Sequence, residues 1–147
     1  MSGLQDLYQE VILHHSKAPR NFGAVSDANH RADGHNPLCG DRVHLTLRVE
    51  DGTVQEIAFE GDGCAISTAS ASVMTDAVKG KGEAEVRAMF EGFLAMVTGE
   101  GEQNDADLGK LGVFAGVREF PVRVKCAMLA WRTLEAALAG SSDVTTE

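Results

Sequence analysis

Three cysteines and one aspartate hold the residues of this sequence best suited to metal or sulfur chemistry: Cys39, Asp41, Cys64 and Cys126. Each cysteine falls at a boundary between elements rather than inside an apolar stripe. Cys39 lies in the run Pro37, Leu38, Cys39, Gly40, Asp41, where Gly40 frees the backbone to turn both neighbouring side chains inward. Cys64 follows Gly61, Asp62 and Gly63 and opens a helix, so unpaired amides and the positive end of the helix dipole favour its thiolate. Cys126 lies near the start of the last helix beside Arg123 and Lys125, whose positive charge is expected to act in the same direction. An odd number of cysteines in a reducing compartment speaks against a disulfide framework and leaves buried filler, metal ligands or reactive thiols. A free cysteine taken alone is as readily a small buried hydrophobe. The gaps from Cys39 to Cys64 and on to Cys126 match no compact zinc knuckle, so spacing leaves both a shared metal site and buried filler open.

The elements that must position these residues are visible as hydrophobic periodicity. Leu4, Leu7, Tyr8, Val11 and Ile12 recur at helical spacing, and this first helix is expected to end near Ser16, before Pro19. From Val43 to Glu50 the pattern alternates strictly, with Val43, Leu45, Leu47 and Val49 on one face. Asp51 and Gly52 follow as a turn favouring positive φ, and a returning strand reaches Glu60. A strand around His30 to Asp33 would complete a small antiparallel sheet. After Gly63, Ile66, Ala69, Val73, Met74 and Ala77 mark a helix rich in small residues that permit close packing. Beyond Gly80 and Gly82, Val86, Met89, Phe90, Phe93, Leu94 and Val97 mark another. The stretch from Thr98 to Asp107 reads as a loop and a candidate for mobility, Leu108 to Val117 as a short helix. Pro121 precedes a final helix with Ala127, Ala130, Leu134, Ala137 and Leu138 facing the core and Trp131 adding a contact. Residues 1–140 are expected to form one domain, and residues 141–147 a polar, disordered tail.

Length and composition set bounds on function. The 147 residues suit one domain, and with 44% hydrophobic but 5% aromatic residues its core must be mainly aliphatic. A formal net charge of -9 disfavours nucleic acid as a partner, because that affinity rests on Lys and Arg neutralising phosphates. No apolar run approaches a membrane span and no basic region followed by an apolar run opens the chain, so no membrane association and a cytoplasmic location are expected.

The segments Asn36-Pro37-Leu38-Cys39-Gly40-Asp41, Gly61-Asp62-Gly63-Cys64-Ala65-Ile66-Ser67 with Ala69-Ser70-Ala71-Ser72, and Arg123-Val124-Lys125-Cys126-Ala127 together closely resemble the SufU and IscU family of iron–sulfur assembly proteins. The resemblance spans about Leu4 to Gly140, and it implies an α+β fold in which a small three-stranded antiparallel sheet packs against about five helices, with the metal at one end. IscU scaffolds carry histidine just before the third cysteine and a Leu-Pro-Pro-Val-Lys segment upstream. Here Lys125 precedes Cys126, the upstream residues are Phe120, Pro121, Val122 and Arg123, and Thr98 to Glu119 resembles the SufU insertion. The resemblance therefore points to the SufU branch.

That resemblance implies Zn²⁺ held by Cys39, Asp41, Cys64 and Cys126; Gly40 would let the Cys39 loop swing, and Arg123 and Lys125 would either offset part of the ligands' excess negative charge or form a solvated helix face. It also implies a pyridoxal-phosphate cysteine desulfurase of the SufS type as partner and a downstream iron–sulfur assembly complex as recipient. Cys39 would accept the outer sulfur of the desulfurase's persulfide, a thiol exchange reaction, after a desulfurase histidine takes its place on the metal. The alternative is a scaffold on which the same side chains assemble a [2Fe–2S] cluster before transfer. A purely structural zinc protein is a third reading. His35, four residues before Cys39, is not a ligand position in the family pattern. His14 and His15 suit a helix C-terminus, and His44 alternates outward on its strand. No glycine-rich phosphate loop, serine triad or CxxC redox motif is present.

Overall fold

The computed structural model describes residues 3–99, 105–140 and 143–145. The elements run α1 (Gly3–Lys17), β1 (His30–Asn36), β2 (Asp41–Glu50), β3 (Thr53–Asp62), α2 (Ala65–Val78), α3 (Glu83–Thr98), a run of 3-10 turns (Asp105–Glu119), α4 (Pro121–Ala139) and β4 (Asp143–Thr145). β1, β2 and β3 form the expected antiparallel sheet, and the helices pack against it in an α+β arrangement.

The hairpin forms as its sequence dictates. Asp51 and Gly52 both take positive φ, at 53° and 72°, and return the chain so that Leu45 pairs with Phe59 and Leu47 with Ile57. Val43, Leu45, Leu47, Val54, Ile57 and Phe59 are buried and form the sheet's contribution to the core. The opposite face is less open than alternation implies. Thr46 is buried because the segment before β1 crosses it, and its hydroxyl accepts from the Val25 amide at 2.9 Å. β1 extends three residues beyond its expected end and reaches Asn36.

The tail was expected to be disordered, but Asp143–Thr145 run parallel to β1, giving the order β3-β2-β1-β4. The edge of β1 presents main-chain donors and acceptors that a neighbouring segment can satisfy whatever its side chains, so a polar sequence carries no warning of it. The opposite edge, on β3, is also engaged. Phe59 exchanges main-chain bonds with Asn21 and Gly23, and Val54 does so with Gly80 and Lys81. Residues 100–104, the centre of the expected mobile loop, lie outside the described residues, and the short helix expected within Leu108–Val117 lies within the longer 3-10 run.

α4 is the central helix, and everything from Cys126 to Trp131 is buried, so Trp131 is a core residue and not an extra contact. Its ring stacks on Phe93 with centroids 5.1 Å apart, and Phe93 meets Phe114 edge-on at 5.8 Å. α2 fits between α1 and α4 because its buried residues include Ala69, Ser70, Ala71 and Ser72, which are too small to hold neighbours away. The hydroxyls that this burial carries inside are paired. Ser70 donates to the Ala127 carbonyl at 2.6 Å, and Ser72 accepts from the Arg20 amide at 2.7 Å and lies 2.6 Å from His15 Nδ1. His15, in the last turn of the first helix as expected, is buried at the contact between α1 and α2, while His14 stays exposed.

α4 also runs antiparallel along β1. His30 Nδ1 lies 2.9 Å from the Ala137 carbonyl, Gly34 faces Leu129 and Thr133, and Asn36 faces Cys126. A strand of this length advances roughly 20 Å at about 3.3 Å per residue, and the helix from Ala137 back to Cys126 covers roughly 16 Å at about 1.5 Å per residue. The two lengths nearly match, so contact at one end fixes contact at the other. A side chain on Gly34 would meet Thr133 Oγ1 at 2.0 Å, so glycine is what lets the helix come this close.

Candidate metal centre

The end of the sheet where β1 hands over to β2 gathers the sequence-predicted ligands. Asn36 and Asp41 are cross-strand partners, leaving Pro37 to Gly40 as the connecting turn. The Asn36 carbonyl accepts from the amides of Cys39 at 3.3 Å and Gly40 at 2.8 Å, and its side-chain oxygen accepts from the Leu38 amide at 3.3 Å. Gly40 adopts φ 74°, a left-handed conformation that disfavours a side chain. The turn leaves Cys39 exposed and sends the Asp41 side chain inward to 0% exposure.

β3 delivers the second thiol. Its last pair, Asp62 with Arg42, brings Gly63 against Asp41, where an added Cβ would lie 2.9 Å from Asp41 Oδ1. The Cys64 amide donates to that oxygen at 2.9 Å, and Cys64 Sγ stands 3.9 Å from Asp41 Oδ2. Cys64 is itself the N-cap of α2, its sulfur accepting from the Ser67 amide at 3.4 Å, so the thiol sits at the positive end of the helix as its sequence position implied.

Cys126 closes the group from beneath. It is fully buried on α4, its sulfur 3.4 Å from Cys39 Sγ and 3.7 Å from the Asn36 side-chain nitrogen. Donor atoms of Cys39, Asp41 and Cys126 all lie within 4.8 Å of one another. Cys64 stands outside that tightest trio and reaches it through Asp41 and through a hydrogen bond with Cys126.

The charge around Cys126 is not what the sequence implied. Burial pushes its thiol far up from the usual range, followed by hydrogen bonding with Cys39, the negative field of Cys64 and hydrogen bonds with Asp41 and Cys64. Among the described residues no cation counters these effects: Cys126 faces the interior, while Arg123 is exposed and lines an apolar cleft with Ile12, Ile66 and Phe120. Among the described residues no ion pair joins Arg123 or Lys125 to the site.

These residues fit a thiophilic divalent cation. Asp41 is wholly buried, and among the described residues no Lys or Arg pairs with it. A carboxylate so placed is costly without a counter-charge, and thiols gathered beside it gain most by ionising against a metal. A sulfur-rich set with one oxygen suits zinc or iron. His35, partly exposed and paired in register with Arg42, is not part of the group.

Asn36 is the residue whose role spacing did not expose. It shapes the Cys39 turn with its main chain and touches the Cys126 sulfur with its side chain. Its burial at 0%, between His35 and Pro37, becomes informative only once α4 is known to lie beneath it.

Comparison with known proteins accords with this arrangement. A model of the NifU-like N terminal domain family matches residues 7–127. The chain is 43% identical over 138 residues to the zinc-dependent sulfurtransferase SufU of Bacillus subtilis (strain 168), covering 94% of this chain and 93% of that one. It is 41% identical over 143 residues to the iron–sulfur cluster assembly scaffold protein IscU of Streptococcus pyogenes serotype M1, covering 97% and 89%. A solved structure of a nitrogen-fixing NifU-like protein (N-terminal) from Brucella abortus superposes with a TM-score of 0.83 at 27% identity, covering 94% of this chain and 96% of that one.

Proposed function

We propose, on the premise that this chain belongs to the NifU-like N-terminal domain family, that it is a zinc-dependent sulfur carrier serving iron–sulfur cluster assembly. The observation that carries this is the asymmetry of the site: Cys39 is exposed on a glycine-containing turn, while Asp41 and Cys126 behind it are fully buried. A ligand set built only to hold an ion has no need to present one sulfur to solvent.

In this reading Cys39, Asp41, Cys64 and Cys126 hold Zn²⁺, which when bound keeps the thiols ionised at neutral pH. The remaining work belongs to the chain. Cys39 Sγ attacks the outer sulfur of a persulfide on a pyridoxal-phosphate cysteine desulfurase. The sulfur–sulfur bond of that persulfide breaks, its cysteine leaves as a thiolate, and Cys39 becomes the new persulfide. Asn36 holds the turn through its carbonyl, and Gly40 supplies the backbone freedom for Cys39 to move without displacing Asp41. Leu38, Phe120 and Val122 are 62%, 61% and 53% exposed on the turn that carries Cys39 and at the start of α4, apolar side chains of the kind a protein partner covers. Arg123 and Lys125 would act on that partner's charge. A SufS-type desulfurase is the finer assignment, with a downstream cluster-assembly complex as recipient. The described helices include none long and apolar enough to cross a membrane.

Mixing the chain with a desulfurase and labelled cysteine, then mapping the label cysteine by cysteine, tests the assignment. Label on Cys39 supports it, and label only on Cys64 or Cys126 overturns it. A second reading, a scaffold for a [2Fe–2S] cluster, draws on the same donors and on the scaffold name of the Streptococcus pyogenes relative. Stoichiometric zinc that resists replacement by iron during reconstitution distinguishes the two.

A further inference from the structure

The site holds a feature that sulfur acceptance by Cys39 does not require. Cys126 Sγ lies 3.4 Å from Cys39 Sγ, near enough for a covalent bond after a small movement of the exposed turn. Cys126 is fully buried and Cys39 is exposed, so Cys126 approaches the Cys39 sulfur from the protein side while solvent reaches it from outside. Because Cys39 is exposed, a sulfur atom added to it can extend toward solvent, away from Cys126. That leaves the buried thiol behind the Cys39 sulfur, on the side from which displacement of the added atom must come.

We propose that Cys126 is a resolving thiol that, when not engaged by a metal, expels the outer sulfur of a Cys39 persulfide as hydrogen sulfide. The inference rests on Cys39 being the sulfur acceptor. Cys126 Sγ bonds to Cys39 Sγ, the bond from Cys39 to its outer sulfur breaks, and that sulfur leaves with the electron pair. The outer sulfur is thereby reduced to sulfide, the two cysteines are oxidised to a Cys39–Cys126 disulfide, and the proton of the Cys126 thiol departs on the sulfide. Asp41 hydrogen-bonds to the Cys126 thiol, which places its carboxylate on the path by which that proton leaves. The disulfide returns to thiols by exchange with an external dithiol. A metal on Cys126 occupies the attacking lone pair, so loss of the ion converts a sulfur carrier into a sulfide donor.

The test loads the chain with sulfur from desulfurase and cysteine, removes the small molecules and adds a chelator. Released sulfide is swept by inert gas into a trap, and the protein is mapped by mass spectrometry. The expected result is one sulfide per chain, loss of the extra sulfur from Cys39 and a Cys39–Cys126 disulfide. Cys126→Ala and Cys126→Ser should keep the extra sulfur on Cys39 and release little or no sulfide, with circular dichroism checking that they fold. The inference is overturned by wild type keeping its persulfide, by equal release from both Cys126 variants, or by a disulfide joining another pair. A parallel arm loads Cys39 from inorganic polysulfide, so that a desulfurase failing to deliver sulfur counts against the proposed function and leaves this inference still under test.

Discussion

The main-chain amide of Cys64 donates to Oδ1 of Asp41 at 2.9 Å, so one candidate ligand anchors the backbone that carries another. Asp41 thus has two separable roles, acceptor for an amide and oxygen donor for an ion. Asp41→Asn keeps the acceptor and loses the charge, whereas Asp41→Ala loses both. Both variants should bind zinc at least roughly tenfold more weakly in competition with a chromophoric chelator. Only Asp41→Ala should also lose about 1–3 kcal/mol in urea unfolding of the metal-stripped chain, the typical cost of an orphaned buried group.

Cys39 is exposed, and its replacement removes little packing. Cys39→Ala should therefore unfold within about 0.5 kcal/mol of wild type when both are metal-stripped. It should nevertheless abolish stimulation of the desulfurase, read as alanine formed from cysteine. Unchanged alanine production would remove Cys39 from the mechanism, and an unfolded variant would favour a purely structural metal.

Gly34 and Thr133 mark the tightest approach of α4 to the sheet, with the position of a Gly34 Cβ only 2.0 Å from the Thr133 hydroxyl oxygen. Gly34→Ala should cost about 1–3 kcal/mol through overpacking, and Thr133→Ala in the same chain should recover part of it. Because this contact sets how α4 lies along β1, the single variant should also weaken zinc binding at Cys126 without touching a ligand.

Ser72 joins α1 to α2 from inside the protein, accepting from the Arg20 amide and lying 2.6 Å from His15 Nδ1. Ser72→Ala removes the hydroxyl shared by the part-buried Arg20 amide and the buried His15 ring. The expected loss is about 1–3 kcal/mol, with amide exchange rising first in α1.

Metal removal should lower the thermal midpoint. Free zinc at a hundredfold excess over its dissociation constant stabilises by about 2.7 kcal/mol if the unfolded chain binds none. For a chain of this size that corresponds to roughly 5–10 °C between zinc-saturated and chelator-treated samples in a calorimeter.

How much of this was legible depends on whether a feature is encoded locally. The β2–β3 hairpin is written in alternation and in Asp51 and Gly52, and the sequence places it almost to the residue. α2 and α3 follow from periodicity between glycines. The approach of Cys39 to Cys126 is different in kind, since these residues lie 87 positions apart and meet because α4 runs back along β1. That meeting could be expected only through family resemblance. The inward turn of Cys126 away from Arg123, the burial of His15 and Asn36, and β4 all depend on which neighbour a segment finds. β4 is the clearest case, as its pairing is main-chain to main-chain and its residues, Asp143, Val144 and Thr145, carry no strong strand pattern.

The engagement of both sheet borders, β1 by β4 and β3 by main-chain partners at Val54 and Phe59, has a consequence for how this molecule meets others. Along those engaged stretches the ladder is closed to identical chains stacking into fibrils and to a visitor's extended peptide. Recognition is left to side chains at the sulfur-bearing tip, an encounter that can be brief and repeated, as befits a courier that must let go.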